Sequence, residues 1–148
     1  MKRLVFLVLA AMWAGCAAPR PKLAAQIPPA TAGANFELSS YAVVGTPEED
    51  TLEYVQVFLD GRLQGRTEVA AKSRPKLWLG RIPEGNHPMR FEVWDSTGGA
   101  PGARRPEELQ PRERFIRVEP GLKTSAVLRF SEQGRRSLLS ITYEPRPR

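Results

Sequence analysis

"TLEYVQVFLDGRLQGRTEV", residues 51–69, puts Val55, Val57 and Leu59 on one phase of a period-two pattern and Tyr54 and Phe58 on the other. Strict alternation over this length is the mark of a half-buried strand. Asp60–Gly61 follows at once. An Asp-Gly pair tolerates the left-handed backbone that a two-residue hairpin turn needs. Residues 62–69 are therefore expected to return as the second arm of a hairpin.

The same texture extends outward from this hairpin. Upstream, "NFELSSYAVV" (35–44) precedes the acidic turn "GTPEED" (45–50). Downstream come "KLWLGRI" (76–82), the turn "PEGNHP" (83–88) and "MRFEVWD" (89–95), in which Met89, Phe91 and Val93 alternate with Arg90, Glu92 and Trp94. "ERFIRVE" (113–119), the turn "PGLK" (120–123), "TSAVLRF" (124–130), the turn "SEQGRR" (131–136) and "SLLSITYE" (137–144) complete the series. Short apolar-alternating runs divided by Gly, Pro, Asn and Asp read as strands and turns. No window carries a helical stripe; "PEELQPRE" (106–113) has room for one helical turn. The expectation is an all-β fold, a single antiparallel β-sandwich of about seven to eight short strands over residues 35–144, with 145–148 a disordered tail. Its expected core is Val55, Val57, Leu59, Leu77, Leu79, Met89, Phe91, Val93, Ile116, Val118, Leu128 and Ile141.

At 148 residues, with 41% hydrophobic and 26% charged residues, the chain holds one ordinary domain. Its 14 prolines and 12 glycines call for many turns and a linker. The net charge is +6, and removal of Lys2 and Arg3 leaves 20 basic residues against 16 acidic ones, a net +4. Arg104–Arg105 and Arg135–Arg136 are the adjacent basic pairs, and no basic block or basic helix is present. That pattern argues against nucleic acid as a partner and is compatible with an anionic surface such as lipid headgroups or a cell-wall polymer.

"MKRLVFLVLAAMWAGC" (1–16) joins a basic start, an apolar run from Leu4 to Trp13 and the small residues Ala14 and Gly15 to Cys16. The run is about half the roughly 20 residues of a membrane-spanning helix. It has the layout of a secretory signal peptide. The ending resembles the lipobox of bacterial lipoproteins, with Trp13 standing where an aliphatic residue is usual. The resemblance implies cleavage after residue 15 and lipid attachment at Cys16, whose sulfur forms a thioether to diacylglycerol. Each buried CH₂ contributes about 0.8 kcal/mol, so two or three acyl chains anchor a protein durably. Ala17 and Ala18, rather than Asp, follow the cysteine. By the sorting rule of that family, this implies the outer membrane. The alternatives are an ordinary secretory signal with an incidental cysteine, or a chemically active Cys16. Residues 17–34 carry Pro19, Pro21, Pro28 and Pro29 without periodicity and read as a semi-extended tether.

The stretch from Val55 to Val93 resembles the PEGA-type and immunoglobulin-like modules of bacterial envelope proteins. Asp60, Gly61, Gly65, Thr67, Pro83, Gly85 and His87 carry the likeness. It implies a non-enzymatic module whose partners vary.

Candidates for chemistry are few. His87 is the only histidine and Cys16 the only cysteine, so a catalytic triad or a zinc site lacks its partners. His87 reads as a turn residue. Glu48, Glu49 and Asp50 lack the spacing that wraps calcium and read as a solvated loop. "STGGAPGARR" (96–105) lacks the ending of a phosphate-binding loop and reads as a flexible connection within the long segment 96–111. No metal or other cofactor is expected.

Tyr54, Phe58, Trp78 and Trp94 fall out of phase with the expected core. They form either a second small core under the loop 96–111 or a partner strand, or an exposed platform for a sugar ring or a protein. With Arg104 and Arg105 they are the candidate binding surface. The resulting expectation is a non-catalytic outer-membrane lipoprotein, its domain facing the periplasm or the cell surface. Membrane lipid is held through Cys16, and an envelope protein is the partner. Binding of cell-wall glycan through surface aromatics is the alternative.

Overall fold

Ten strands account for most of the residues that the computed structural model describes, which are 33–97, 102–131 and 134–146. Cys16, the signal-like segment and the linker as far as residue 32 lie outside them. The strands are β1 (Phe36–Ala42), β2 (Leu52–Leu59), β3 (Arg62–Arg66), β4 (Ala70–Ala71), β5 (Lys76–Gly80), β6 (Gly85–Ser96), β7 (Ala103–Arg104), β8 (Arg114–Val118), β9 (Leu122–Ser131) and β10 (Arg136–Pro145). One sheet runs β10-β9-β1-β5. The other runs β3-β2-β6-β7, with β4 added to β2 and β8 to β6. The two sheets enclose one apolar layer, so the all-β sandwich expected from the alternation is the fold.

The core follows from that alternation. Val55 and Val57 on β2, Met89, Phe91 and Val93 on β6, and Ile116 and Val118 on β8 face Phe36, Leu38, Leu128 and Phe130 of the opposite sheet. The β2–β3 turn has Asp60 at φ 49° and Gly61 at φ 75°, the left-handed pair that the Asp-Gly sequence favours. Thr67 then fills in for a ladder partner: its Oγ1 accepts the Val55 N–H at 3.0 Å and donates to the Glu68 carbonyl at 3.1 Å.

Three features depart from expectation. The sheets contain ten strands, several of them two to five residues long. β1 pairs with β9 in parallel, Phe36 opposite Thr124, while the other pairs are antiparallel. Its place in mid-sheet is held at one end by Asn35, whose side-chain amide exchanges two hydrogen bonds with the Ile82 backbone at 2.7 and 2.8 Å. Third, β10 reaches Pro145, and the Arg146 N–H donates to the Gly121 carbonyl at 3.1 Å, so residues 145–146 of the expected tail close a hairpin, while 147–148 lie outside the described residues.

The phase of β5 is inverted. Leu77, expected inside, is 53% exposed, and Leu79 is half-buried. Lys76 and Trp78 point inward instead. The indole fills a slot made by two glycines: a Cβ on Gly65 would lie 2.5 Å from Trp78 Nε1, and one on Gly80 would lie 2.2 Å from the ring. Phe36 packs against it at 6.0 Å between ring centres. One large ring with room made for it outweighs two leucines.

Candidate interaction site

The aromatic residues do not form one platform. Trp78 belongs to the core, a correction to its placement on the outer face. Tyr54 is buried on the far side of β2, stacked on Trp94 at 6.2 Å and 13°, with the Arg66 guanidinium 4.9 Å from its ring centre. Gly102 presses against it, since a Cβ there would lie 2.8 Å from Tyr54 Cε1. Phe58 is half-buried with Arg90 over its ring at 4.3 Å. Tyr54, Trp94 and their neighbours thus make the covered second core that the phase analysis allowed, and a planar sugar finds no open pair of rings.

The segment after Ser96 is also tied down where it is described. Its Gly98 and Gly99 lie outside the described residues. Beyond them, β7 pairs with β6 at Trp94 and Asp95, and the Arg105 N–H donates to the Val93 carbonyl at 3.0 Å. Gln110 then acts as a peptide surrogate. Its Oε1 accepts the Val93 N–H at 2.8 Å, and its Nε2 donates to the carbonyls of Val93 and Arg105 at 3.1 and 2.8 Å. The expected flexible loop is, from Gly102 onward, a strap along the edge of β6.

That strap delivers the two candidate arginines to different places. Arg104 stays half-exposed between Glu92 at 3.3 Å and Glu107 at 2.7 Å. Arg105 is buried. Its Nε and Nη2 bind Asp95, and Nη2 also donates to Glu53. Glu53 and Lys76 are 0% exposed and 3.0 Å apart. Lys76 Nζ is directed at the carbonyls of Ala71, Lys72 and Arg74 at 3.1 to 3.3 Å, so its three N–H groups are engaged and Glu53 Oε1 feels its charge without receiving a hydrogen. Burial opposes the charge of Arg105, yet the hydrogen bonds to Asp95 and the charges of Glu53 and Asp95 raise its pKa above the ordinary value. Glu53, Lys76 and Arg105 thus form a buried ion cluster joining both sheets, with Asp95 at its more exposed edge also reached by Lys72 at 3.7 Å. The chemistry is that of a clamp between layers rather than of an open site.

His87 lies at the start of β6 rather than in a turn. Its Nδ1 is 3.1 Å from Asp60 Oδ2 and its Nε2 is 3.0 Å from the Pro83 carbonyl, so it braces two neighbouring connections. In the acidic segment, Pro47–Glu49 is a 3-10 turn, Glu49 accepts the Gly45 N–H at 3.1 Å, and Asp50 accepts from the N–H and Oγ of Ser73 at 2.8 and 2.7 Å. Among the described residues no three His, Cys, Asp or Glu side chains converge as a metal would require.

Two open features lie beside β10. The first is its outer edge. β10 is ten residues long and among the described residues pairs with β9 alone, with Leu138 61% and Tyr143 44% exposed. The second is a cleft of about 410 Å³ between the sheets, lined by Arg112, Arg114, Arg135 and Arg136. The Arg135–Arg136 pair was visible in the sequence. Arg114 shares the phase of buried Ile116 and Val118, which puts it on the face of β8 toward the opposite sheet, though it stays exposed at the end of the strand.

No family model matches the chain, and comparison with curated proteins and with solved structures finds no match either.

Proposed function

We propose that this chain is a lipid-anchored, non-catalytic interaction module of a bacterial cell envelope. Cys16 carries the lipid, residues 17–34 form the tether, and the sandwich is the part that engages a partner. Support for the anchor is the order of basic start, apolar run, small residues and cysteine in residues 1–16. Ala17 and Ala18 favour the outer membrane.

The observation that carries the interaction reading is the outer edge of β10. A strand of ten residues with one hydrogen-bonded neighbour presents backbone donors and acceptors to a further strand. Leu138 and Tyr143 add side-chain contact of the sort that partner surfaces bury. The partner in this reading is a protein contributing an extended segment, because Trp78 and Tyr54 are committed to the interior. The anchor adds effective concentration: a tethered module meets partners in the same membrane at far higher local density than in free solution.

Photo-crosslinking in cells tests this directly. A photoreactive residue at position 138 or 142 should yield one discrete adduct with an envelope protein, and the same residue at position 62 on β3 should not. Equal labelling at all three positions, or none, would overturn the reading. Independently, Cys16→Ser should release the protein from the membrane fraction and abolish incorporation of labelled fatty acid. Membrane association that survives the change would count against the anchor.

A further inference from the structure

The cleft beside β10 gathers like charges from two directions. Arg112 and Arg114 come from the end of the strap and the first position of β8, in the six-stranded sheet. Arg135 comes from the β9–β10 turn and Arg136 from the first position of β10, in the four-stranded sheet. Glu108 is the one carboxylate on the lining among the described residues. Arg112, Arg114 and Arg135 have no acidic partner among the described residues. All four arginines are exposed at the mouth of the cleft, whereas half-exposed Arg104 and buried Arg105 are each held by two carboxylates.

The wall behind the guanidinium groups is fully buried Leu128. A low-dielectric wall behind a ring of one sign concentrates the field in the opening instead of dispersing it. Guanidinium forks match the paired oxygens of a tetrahedral oxyanion, and several forks around one opening favour a ligand bearing two or more charges. The cavity, at about 410 Å³, lies within the range of roughly 300–1,000 Å³ that small-molecule sites occupy, well beyond a single ion.

We propose that this cleft is a binding site for a phosphate-bearing ligand with at least two negative charges, the phosphates held between the arginines of the two sheets. The proposal is independent of β10 pairing and of the anchor. Bridging the sheets, such a ligand also neutralises the mutual repulsion of the arginines, so binding and stabilisation go together.

Calorimetric titration of the purified chain with sodium pyrophosphate at low ionic strength is the test. Saturable binding is expected, together with a rise in melting temperature. Arg112→Gln, Arg114→Gln and Arg135→Gln should each weaken it about tenfold, the value of one charge-assisted hydrogen bond. Arg135→Lys keeps the charge and loses the fork, and should fall between the parent and Arg135→Gln. Arg117→Gln is the control: that side chain is 69% exposed on β8 and pairs with Glu119, so pyrophosphate affinity should be unchanged. Loss of affinity with Arg117→Gln as large as with the cleft variants would reduce the effect to diffuse charge and overturn the site. So would the absence of saturable binding at millimolar pyrophosphate. Flotation of the Cys16→Ser chain with phosphatidylglycerol vesicles and with phosphatidylcholine vesicles separates the sources. Binding to the anionic vesicles that Arg112→Gln removes assigns a lipid headgroup. Pyrophosphate binding without vesicle binding assigns a soluble phosphorylated compound.

Discussion

The chain contains two adjacent arginine pairs, and the fold treats them in opposite ways. Arg104–Arg105 lies on the strap along β6, where every guanidinium meets a carboxylate: Glu92 and Glu107 for the first, Glu53 and Asp95 for the second. Arg135, in the β9–β10 turn, and Arg136, which opens β10, line a cleft with Arg112 and Arg114, where Glu108 is the one carboxylate among the described residues. The first dipeptide thus serves cohesion, whereas Arg135 of the second joins Arg112 and Arg114 as cations with no acidic partner among the described residues. A buried charge costs several kcal/mol unless it is paired, so the first pair had to be compensated within the protein. An exposed group of like charges costs little in water and can be compensated from outside. Compensation, more than charge itself, separates the structural cluster from the candidate site.

Removing one member from each cluster should expose that difference most strongly. Glu53→Gln leaves Lys76 and Arg105 facing each other across the interior. The expected loss of unfolding free energy is about 3–5 kcal/mol by urea denaturation. Arg135→Gln should shift it by no more than about 0.5 kcal/mol, in either direction. Equal effects would dissolve the distinction. Gln110→Ala comes next in size. Gln110 joins the strap to Val93 and to the Arg105 carbonyl, immediately before Arg112. Its loss should cost about 1–2 kcal/mol and should also weaken pyrophosphate binding, because one side chain positions both arginine groups.

How much of this was legible depends on whether the deciding contact is local. The alternation in residues 52–59 and 89–95 and the Asp60–Gly61 turn are properties of short windows; they located β2, β3 and β6, although β3 ends at Arg66 and β6 begins at Gly85, inside the expected turn. The parallel pairing of β1 with β9 joins residues 36 and 124, and nothing in either window specifies the other. β5 misled because "KLWLG" offers two phases, and hydrophobicity favours the leucines. The flanking glycines at 65 and 80, which make room for Trp78, were the better clue. The ion clamp left a faint trace as well. Glu53 is in phase with Val55 and Val57, and Lys76 with Trp78, but their meeting across the two sheets is long-range. The cleft arginines come from positions 112, 114, 135 and 136, and only the fold brings them together.

Salt discriminates between the clusters at lower energy. Raising ionic strength from about 0.01 M to 0.15 M shortens the screening length from roughly 30 Å to 8 Å. In the cleft this relieves repulsion among exposed guanidinium groups, and the parent protein should gain on the order of 0.5 kcal/mol. The Arg112→Gln/Arg135→Gln double variant should gain almost nothing. The buried clamp is shielded from mobile ions, so Glu53→Gln should leave the salt response intact. A double variant with the full response would place the repulsion elsewhere on the surface.

The smallest effect concerns pH and belongs to the compensated side. Asp50 receives the backbone N–H and the hydroxyl of Ser73, which hold its pKa below the ordinary value of 3.8. A carboxylate with a depressed folded-state pKa contributes stability that is complete above its unfolded value and lost as pH falls through its folded value. Ser73 lies in the turn whose Ala71, Lys72 and Arg74 carbonyls face Lys76. Protonation of Asp50 should therefore loosen the seat of the clamp and leave the cleft untouched. Asp50→Asn should lower the melting temperature at neutral pH and, having no such contribution left to lose, flatten its decline below about pH 4. Its pyrophosphate affinity at neutral pH should equal that of the parent. A parallel loss of affinity would mean that the two arginine pairs are mechanically coupled through more than Gln110.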